Sequence, residues 1–488
     1  MMTINIPAIF SPRISALRKA ASILFLCATS LAPVALSAAV PGEELPEDFR
    51  IYNVFGNTVF YDGYKTDKVV DADLDDGILR FTNYHYAKKL DAGSVAGLGS
   101  DLKLEVLIGA LCDNYDRMGR VMLAFPDAGS DTYMPEQVQR IEIARFITPF
   151  MNKNKTPKQV PYIYDVNDLR AILTDTRLLA GKDIWMEVEV FGIPYAANQQ
   201  VAGCKDRNDV FSATVSLGGD GNISTADETP RLSVTPITVA QPEIKGNVNL
   251  NNYNPAATDT LGTTTRTYIF DVPADLDDAI IYLINTNHGA GEEGEEYIRR
   301  RHLIYVDSDL KSVYTPGGVS CEPYRYLNTQ LNGIYGYPGD VDDWEEWSNW
   351  CPGQAVPVRR IPLGTVKAGS HTLMIRVPDA EFYGSDGDFR PSAFLLGAEG
   401  GILPEPSAIS GVYTDDSSLR IIPGLDNIRM ESEFPIREMR IYTYDGTLIE
   451  GRYNPGEIYN VSFLPAGQYI VTAADAAGHF AYLKYIRQ

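Results

Sequence analysis

The sequence predicts an all-β protein built of antiparallel sandwiches, and three observations lead there. Short strand-like runs recur along the chain, Gly, Pro, Asn and Asp cluster between them, and only Val166–Leu173 carries a helical pattern. Short strands joined by turn-rich connections are the mark of sandwiches, whereas α/β layers would interleave helices.

The first element is a targeting segment. Arg13, Arg18 and Lys19 precede an apolar run from Ala20 to about Ala39, which ends in small residues. That pattern makes residues 1–39 a secretory signal, with cleavage expected after Ala38 or Ala39. Pro33 and the Ser/Ala-rich end argue against an anchor, and Cys27 follows Leu26 rather than the small residue of a lipoprotein signal. No later segment is apolar enough to span a bilayer, so the protein is expected to be exported through the periplasm and secreted or displayed at the cell surface. After cleavage Cys112, Cys204, Cys321 and Cys351 remain, an even set that in an oxidising compartment points to two disulfides, with three connectivities open. A formal charge of −22 excludes nucleic acid and anionic membrane as partners. No CxxC pair occurs and His85, His288, His302, His371 and His479 are scattered, so no metal is expected, and a copper oxygenase is a poor fit.

Strands follow at Leu102–Ile108, Arg120–Phe125, Arg140–Ile147, Ile184–Phe191 and Phe211–Leu217. A Gly- and Asp-rich seam, Gly218–Pro230, then closes a domain spanning 40–228. The next block, 229–403, carries runs at Thr267–Val272, Ile280–Ile284, His302–Val306 and His371–Val377. A second seam at Pro404–Ser407 opens the last block, 404–488. There Met439-Arg440-Ile441-Tyr442-Thr443-Tyr444-Asp445-Gly446, Leu464-Pro465-Ala466-Gly467-Gln468-Tyr469-Ile470-Val471 and a final strand Ala481–Ile486 make a small immunoglobulin-like sandwich with a hairpin at Asp445-Gly446. This block resembles the sorting domain of the type IX secretion system, which implies that machinery as a partner.

Three acidic sites could carry chemistry. In Cys112-Asp113-Asn114-Tyr115-Asp116-Arg117 a carboxylate stands between an aromatic ring and a guanidinium, a catalytic or sugar-binding setting, or else a solvated ion pair. In Asp183–Phe191, alternation puts Ile184, Met186, Val188 and Val190 on a core face and Trp185, Glu187, Glu189 and Phe191 on the other. Rings and carboxylates together suit a sugar, although a half-exposed strand is the plain alternative. The third, Asn287-His288-Gly289-Ala290-Gly291-Glu292-Glu293-Gly294-Glu295-Glu296-Tyr297, gathers four carboxylates that would raise one another's pKa if they converged, or else is a flexible acidic loop.

Two strings sharpen this. Arg140-Ile141-Glu142-Ile143-Ala144-Arg145-Phe146-Ile147-Thr148-Pro149-Phe150 and Trp350-Cys351-Pro352-Gly353-Gln354-Ala355-Val356-Pro357-Val358-Arg359 resemble segments of the peptide-N-glycosidase F family, over about residues 50–402. The resemblance implies two antiparallel jelly rolls side by side with the active site at their interface. It implies Asp116, Glu296 and Glu189 as catalytic carboxylates, and Tyr115, Arg117, Phe191, Tyr297, His288 and Trp347 as residues around the substrate. Asp116 would be the base, Glu296 would stabilise developing charge, and Glu189 would hold water or sugar hydroxyls. It also implies a Cys321–Cys351 disulfide; the cysteine that the family carries ahead of Cys112 is absent here, so Cys112 is expected to pair with Cys204 instead. The chain departs from the family in Gly294 and Ile298, where cysteines flank the glutamate, and near Trp347, where an arginine is expected. The implied reaction is hydrolysis of the amide between asparagine and the first N-acetylglucosamine of N-glycosylated proteins or glycopeptides, by a monomer, and it requires no cofactor. A non-catalytic glycan-binding protein or adhesin on the same fold is the alternative. A glycosidase would also use paired carboxylates.

Overall fold

The structure is a computed structural model that describes residues 45–488, apart from 70–73, 100, 175–180, 223–230, 241–263, 290–293, 319, 337–346, 381–386, 400–418, 425–426, 433, 444–447, 454, 476–479 and 488. The secretory signal at 1–39, the seam at Pro404–Ser407, the Asp445-Gly446 turn, and Glu292 and Glu293 lie outside the described residues.

The first sandwich comprises β1 (Arg50–Tyr61), β2 (Ile78–Arg80), β3 (His85–Lys89), β4 (Leu102–Ala110), β5 (Met118–Ala124), β6 (Arg140–Ile147), β7 (Gln159–Asp165), β8 (Trp185–Val190) and β9 (Asp209–Gly219). These pair into a four-stranded sheet, β1-β9-β4-β7, and a five-stranded sheet, β2-β3-β8-β5-β6. Alternation decides which way each strand faces. On β4, Leu102, Leu104, Val106 and Ile108 turn inward to meet Val121, Ile143, Met186 and Val188 from the opposite sheet. Each such side chain contributes about 1.5–3 kcal/mol on burial, so packing rather than local propensity holds the layers.

The second sandwich comprises β10 (Arg231–Thr238), β11 (Thr264–Val272), β12 (Leu276–Ile284), β13 (Asn287–His288), β14 (His302–Val306), β15 (Asp309–Tyr314), β16 (Arg359–Val366), β17 (Gly369–Val377), β18 (Asp388–Phe389) and β19 (Ser392–Glu399). Its sheets run β10-β19-β12-β16 and β11-β17-β14-β15, with the small pair β13-β18 beside them. The C-terminal sandwich comprises β20 (Leu419–Pro423), β21 (Asn427–Ser432), β22 (Ile436–Thr443), β23 (Leu448–Tyr453), β24 (Ile458–Asn460), β25 (Gly467–Asp475) and β26 (Phe480–Arg487), ordered β20-β21-β24 and β23-β22-β25-β26. Ile428, Met430, Ile441, Val471 and Tyr485 fill its core.

What positions the site is the seam between the first two sandwiches. Along the last residues of β6, the Trp-Cys-Pro-Gly string pairs with the Arg-Phe-Ile-Thr-Pro string. The Val356 N–H donates to the Arg145 carbonyl (2.8 Å), Ile147 to Gln354 (3.0 Å) and Gly353 to Ile147 (3.0 Å). Ile147, Ile284, Trp350 and Val356 close the seam with apolar surface. Arg145 is fully buried there. Glu142 holds its guanidinium at 2.6 and 2.8 Å, and its Nη1 donates to Thr286 Oγ1 (2.8 Å) and the Arg390 carbonyl (2.7 Å). A buried cation is tolerated only when paired and hydrogen-bonded in this way. Disulfides join Cys112 to Cys204 and Cys321 to Cys351.

Candidate active site

Asp116 sits on a short loop between β4 and β5, and buried Asp113 gives that loop its shape. The Asp113 carboxylate accepts the Tyr115 N–H (2.9 Å), the Ile193 N–H (2.6 Å) and Arg117 Nε (2.7 Å). Arg117 is thus tied to Asp113, and its guanidinium lies 5.2 Å from the centre of the Tyr115 ring. Thr148, from the Arg-Phe-Ile-Thr-Pro string, grips the same loop from below. Its Oγ1 accepts the Arg117 N–H (2.8 Å) and donates to the Tyr115 carbonyl (3.1 Å), while its N–H donates to the Arg117 carbonyl (2.7 Å). These bonds bracket Asp116 on both sides and leave its carboxyl at the seam.

Glu296 comes from the second sandwich, on the turn between β13 and β14. Its neighbour Glu295 is fully buried in an ion pair with Arg300 (3.0 and 3.2 Å). Ser348 Oγ (2.9 Å) and Asn349 Nδ2 (2.6 Å) donate to the Glu296 carbonyl, so the Trp-Ser-Asn-Trp segment sets the backbone from which Glu296 projects. The turn lacks flanking cysteines. It is held instead by the Gly294 carbonyl, which accepts the N–H groups of Tyr297 (3.0 Å) and Ile298 (3.3 Å).

Asp116 and Glu296 influence each other. Burial, and secondarily the Asp116 charge, push Glu296 up to about 8, against the Tyr297 hydroxyl, the Gly289 N–H and the Arg390 charge. Burial pushes Asp116 up to about 6, opposed chiefly by the Arg117 guanidinium and then by the Trp350 indole N–H. That N–H is buried and makes no aligned hydrogen bond among the described residues. At pH 7 the favoured state is therefore ionised Asp116 beside protonated Glu296, the separation of roles that acid–base chemistry needs.

His288 packs against Trp350 with the rings tilted by 43° and their centres 4.9 Å apart, and its Nε2 meets Thr286 Oγ1 at 2.8 Å. Burial, with the Arg390 and Arg145 charges, holds it neutral well below the usual imidazole range. Tyr115, Trp347 and Tyr297 do come together in an edge-to-face row: Phe150 lies 6.0 Å from Tyr115 and 6.3 Å from Trp347, and Trp347 lies 5.9 Å from Tyr297, between ring centres. Gly333 lets this row close. Its φ is +53°, and a Cβ there would lie 2.9 Å from the Phe150 ring and 3.0 Å from the Trp347 ring. Phe191 packs in a separate aromatic group with Tyr64 and Tyr84, 5.8 and 5.3 Å away.

The two domain models of one family match this chain, peptide-N-glycosidase F N terminal over residues 52–206 and C terminal over residues 252–396. The chain belongs to the peptide-N-glycosidase F family. Among solved structures it is similar to PNGF-II in two crystal forms, with TM-scores of 0.53 and 0.52 at 21% and 20% identity, covering 73% and 72% of this chain and 66% of that one. About a third of PNGF-II therefore has no counterpart here, and at such identity the likeness concerns the fold, two β-sandwiches side by side. A glycosylasparaginase from Flavobacterium meningosepticum, titled PNGase F, is similar at 15% identity over 72% of this chain and 96% of that one, with a TM-score of 0.45. No curated protein sequence matches.

Within this peptide-N-glycosidase F fold, one sequence expectation is corrected by the geometry. The carboxylate face of β8 does not look onto an open cleft. β8 lies inside its sheet between β3 and β5, and Trp185 packs with Tyr133, Ala87 and Ala124 on the face expected to bind sugar. Glu187 is bound by His85 (2.9 Å), Tyr133 (2.8 Å) and Arg140 (3.1 Å). Both oxygens of Glu189 are taken by Arg120 at 2.8 and 2.9 Å, with His85 Nδ1 at 3.4 Å. Burial opposes its charge, but Arg120 and His85 prevail and bring Glu189 down to about 2. A strand covered on both faces must pair every charge, and that requirement closes the face. The sequence motifs pointed to Asp116 and Glu296 but not to the supports Asp113, Thr148, Phe150 and Asn349. Thr148 and Phe150 stand inside a quoted string, so the signal was present without its meaning. Arg390 lies far from every motif in sequence and reaches the site only through the β13-β18 pair.

Proposed function

We propose that this chain is an amidase that hydrolyses the bond between asparagine and the first N-acetylglucosamine of N-glycans, releasing the glycan whole. The observation that carries this is the pair of carboxyls presented by different sandwiches, close enough that the charge on Asp116 raises Glu296. Ionised Asp116 takes a proton from the attacking water, and protonated Glu296 donates to charge that develops opposite it. The row Tyr115, Phe150, Trp347 and Tyr297 offers ring faces to the apolar C–H surfaces of the core sugars. Glu189 acts through Arg120, whose Nη1 donates to the Ala240 carbonyl and so ties the first sandwich to the second.

The same aromatic row would serve a binding protein without turnover, the second reading. Both readings share the expected domains 40–228 and 229–403, export by the signal at 1–39, and delivery through the sorting-like block 404–488 to the type IX machinery. Two disulfides agree with export. No helix among the described residues is long and apolar enough to cross a membrane. The test is glycan release from a glycopeptide by the wild-type protein and by Asp116→Asn and Glu296→Gln, with chitobiose binding measured alongside. Release that both variants lose while binding persists supports the amidase. Binding without release in the wild type supports the second reading.

A further inference from the structure

A further cation, Arg390, acts on Glu296 from the second sandwich. Arg390 follows β18, where Asp388 pairs with His288, and Gly387 packs against the His288 carbonyl and Gly289. The Gly289 N–H is one that points at the Glu296 carboxyl, so β18 delivers Arg390 to the wall from which Glu296 projects. Its placement is built. Its N–H donates to the Thr286 carbonyl (2.9 Å) and its carbonyl accepts Arg145 Nη1 (2.7 Å). Its Nε donates to fully buried Asp388 at 3.0 and 3.1 Å.

What is left over is the functional end. Among the described residues no acceptor lies within hydrogen-bond reach of the two terminal NH2 groups of Arg390, and its side chain is 14% exposed, enough to meet a ligand. The neighbouring arginines are committed elsewhere: Arg117 to Asp113, Arg145 to Glu142, Arg300 to Glu295.

We propose that Arg390 is a catalytic residue whose terminal NH2 groups receive the carbonyl oxygen of the scissile asparagine amide. The inference rests on the amidase reading. In that reaction the water oxygen adds to the amide carbon, the π pair moves onto the carbonyl oxygen, and Asp116 takes the water proton. As the C–N bond breaks, that proton passes to the nitrogen, leaving an aspartyl carboxyl and a glycosylamine. Negative charge appears only transiently on the carbonyl oxygen, and a fixed planar guanidinium with uncommitted donors suits it. The Arg390 charge, after burial, also helps keep His288 neutral, so that ring brings no competing cation to the same place.

The experiment compares wild type, Arg390→Ala and Arg390→Lys on an N-glycosylated peptide, with free chitobiose as the binding probe and added guanidinium chloride for rescue. Removing one such donor set is expected to lower kcat by about 100- to 1,000-fold. KM and chitobiose affinity should stay near wild type. Arg390→Ala should melt lower because it leaves buried Asp388 unpaired, whereas Arg390→Lys keeps a cation there, should melt near wild type and should restore only part of the lost kcat; guanidinium should raise the kcat of the Ala variant. A purely structural role would leave Arg390→Lys with near-wild-type kcat and the Ala variant resistant to rescue, which would overturn the proposal. So would near-wild-type kcat in Arg390→Ala, and the amidase reading would then stand without Arg390. An inactive, folded wild type would instead sink the amidase reading and this inference with it.

Discussion

Replacing Asp116 by asparagine is expected to abolish turnover and, at the same time, to stabilise the fold at neutral pH. The carboxyl is raised from 3.8 to about 6, mainly by burial. At 1.36 kcal/mol for each pH unit between those values, ionising it in the folded protein costs about 3 kcal/mol more than ionising it in the unfolded chain. The sign follows: a raised acid favours folding below its unfolded value, and that advantage is lost as pH climbs through the folded value. The wild type therefore carries the full penalty above pH 6, and asparagine, which never ionises, carries none. The expected gain at pH 7 is about 3 kcal/mol, or roughly 5 °C in melting temperature, shrinking below about 1 kcal/mol at pH 4. Paired thermal melts of the two proteins at pH 4 and pH 7 measure it, with glycopeptide turnover assayed on the same samples. Equal or lower stability of the variant at pH 7, or a gain independent of pH, would refute the account of a buried, strained base. Near-native turnover would refute the base itself.

Three further outcomes are expected. The pH profile of kcat/KM should be bell-shaped, rising near pH 6 as Asp116 ionises and falling near pH 8 as Glu296 loses its proton; a flat profile between pH 5 and 9 contradicts that division. Glu189→Gln should destabilise the protein by about 1–3 kcal/mol, because buried Arg120 loses its bidentate carboxylate and keeps only the longer pairing with Glu142. Below its melting temperature this variant should keep kcat within about tenfold of wild type, since Glu189 works through Arg120, and a loss as complete as that of Asp116→Asn would show direct contact with substrate. Thr148→Val keeps the volume but frees the Asp116 loop, and is expected to lower kcat about tenfold or more at nearly unchanged KM, with normal kinetics counting against the clamp.

Much of the fold was legible because alternation is a direct record of burial. Arg140–Ile147 and His302–Val306 occupy the same bounds in sequence and structure, and the helical stretch near Val166–Leu173 forms at Asn167–Thr174. β1 escaped notice because its pairing with β9 shifts register between Asn53 and Phe55 and again before Thr58, with Asn57 at φ 48°. Its Gly56-Asn57 dipeptide looks like a turn in sequence, while the structure uses it as a bulge inside a long strand. The site divides in the same way. Asp116 and Glu296 stand in local motifs, whereas the buried carboxylates of β8 alternate as a wet face would. Only the three-dimensional neighbours Arg120, His85, Tyr133 and Arg140 reveal that the face is closed. Arg390 depends on one long-range strand pair, which no local pattern encodes.

The most direct test of the central claim is to incubate a glycopeptide with the wild-type protein in oxygen-18 water and record the peptide by mass spectrometry. Hydrolysis at the asparagine amide predicts a glycan-free peptide whose asparagine has become aspartate carrying one heavy oxygen. A peptide that keeps a single N-acetylglucosamine, or one left unchanged by the folded protein across several glycan types, would contradict it.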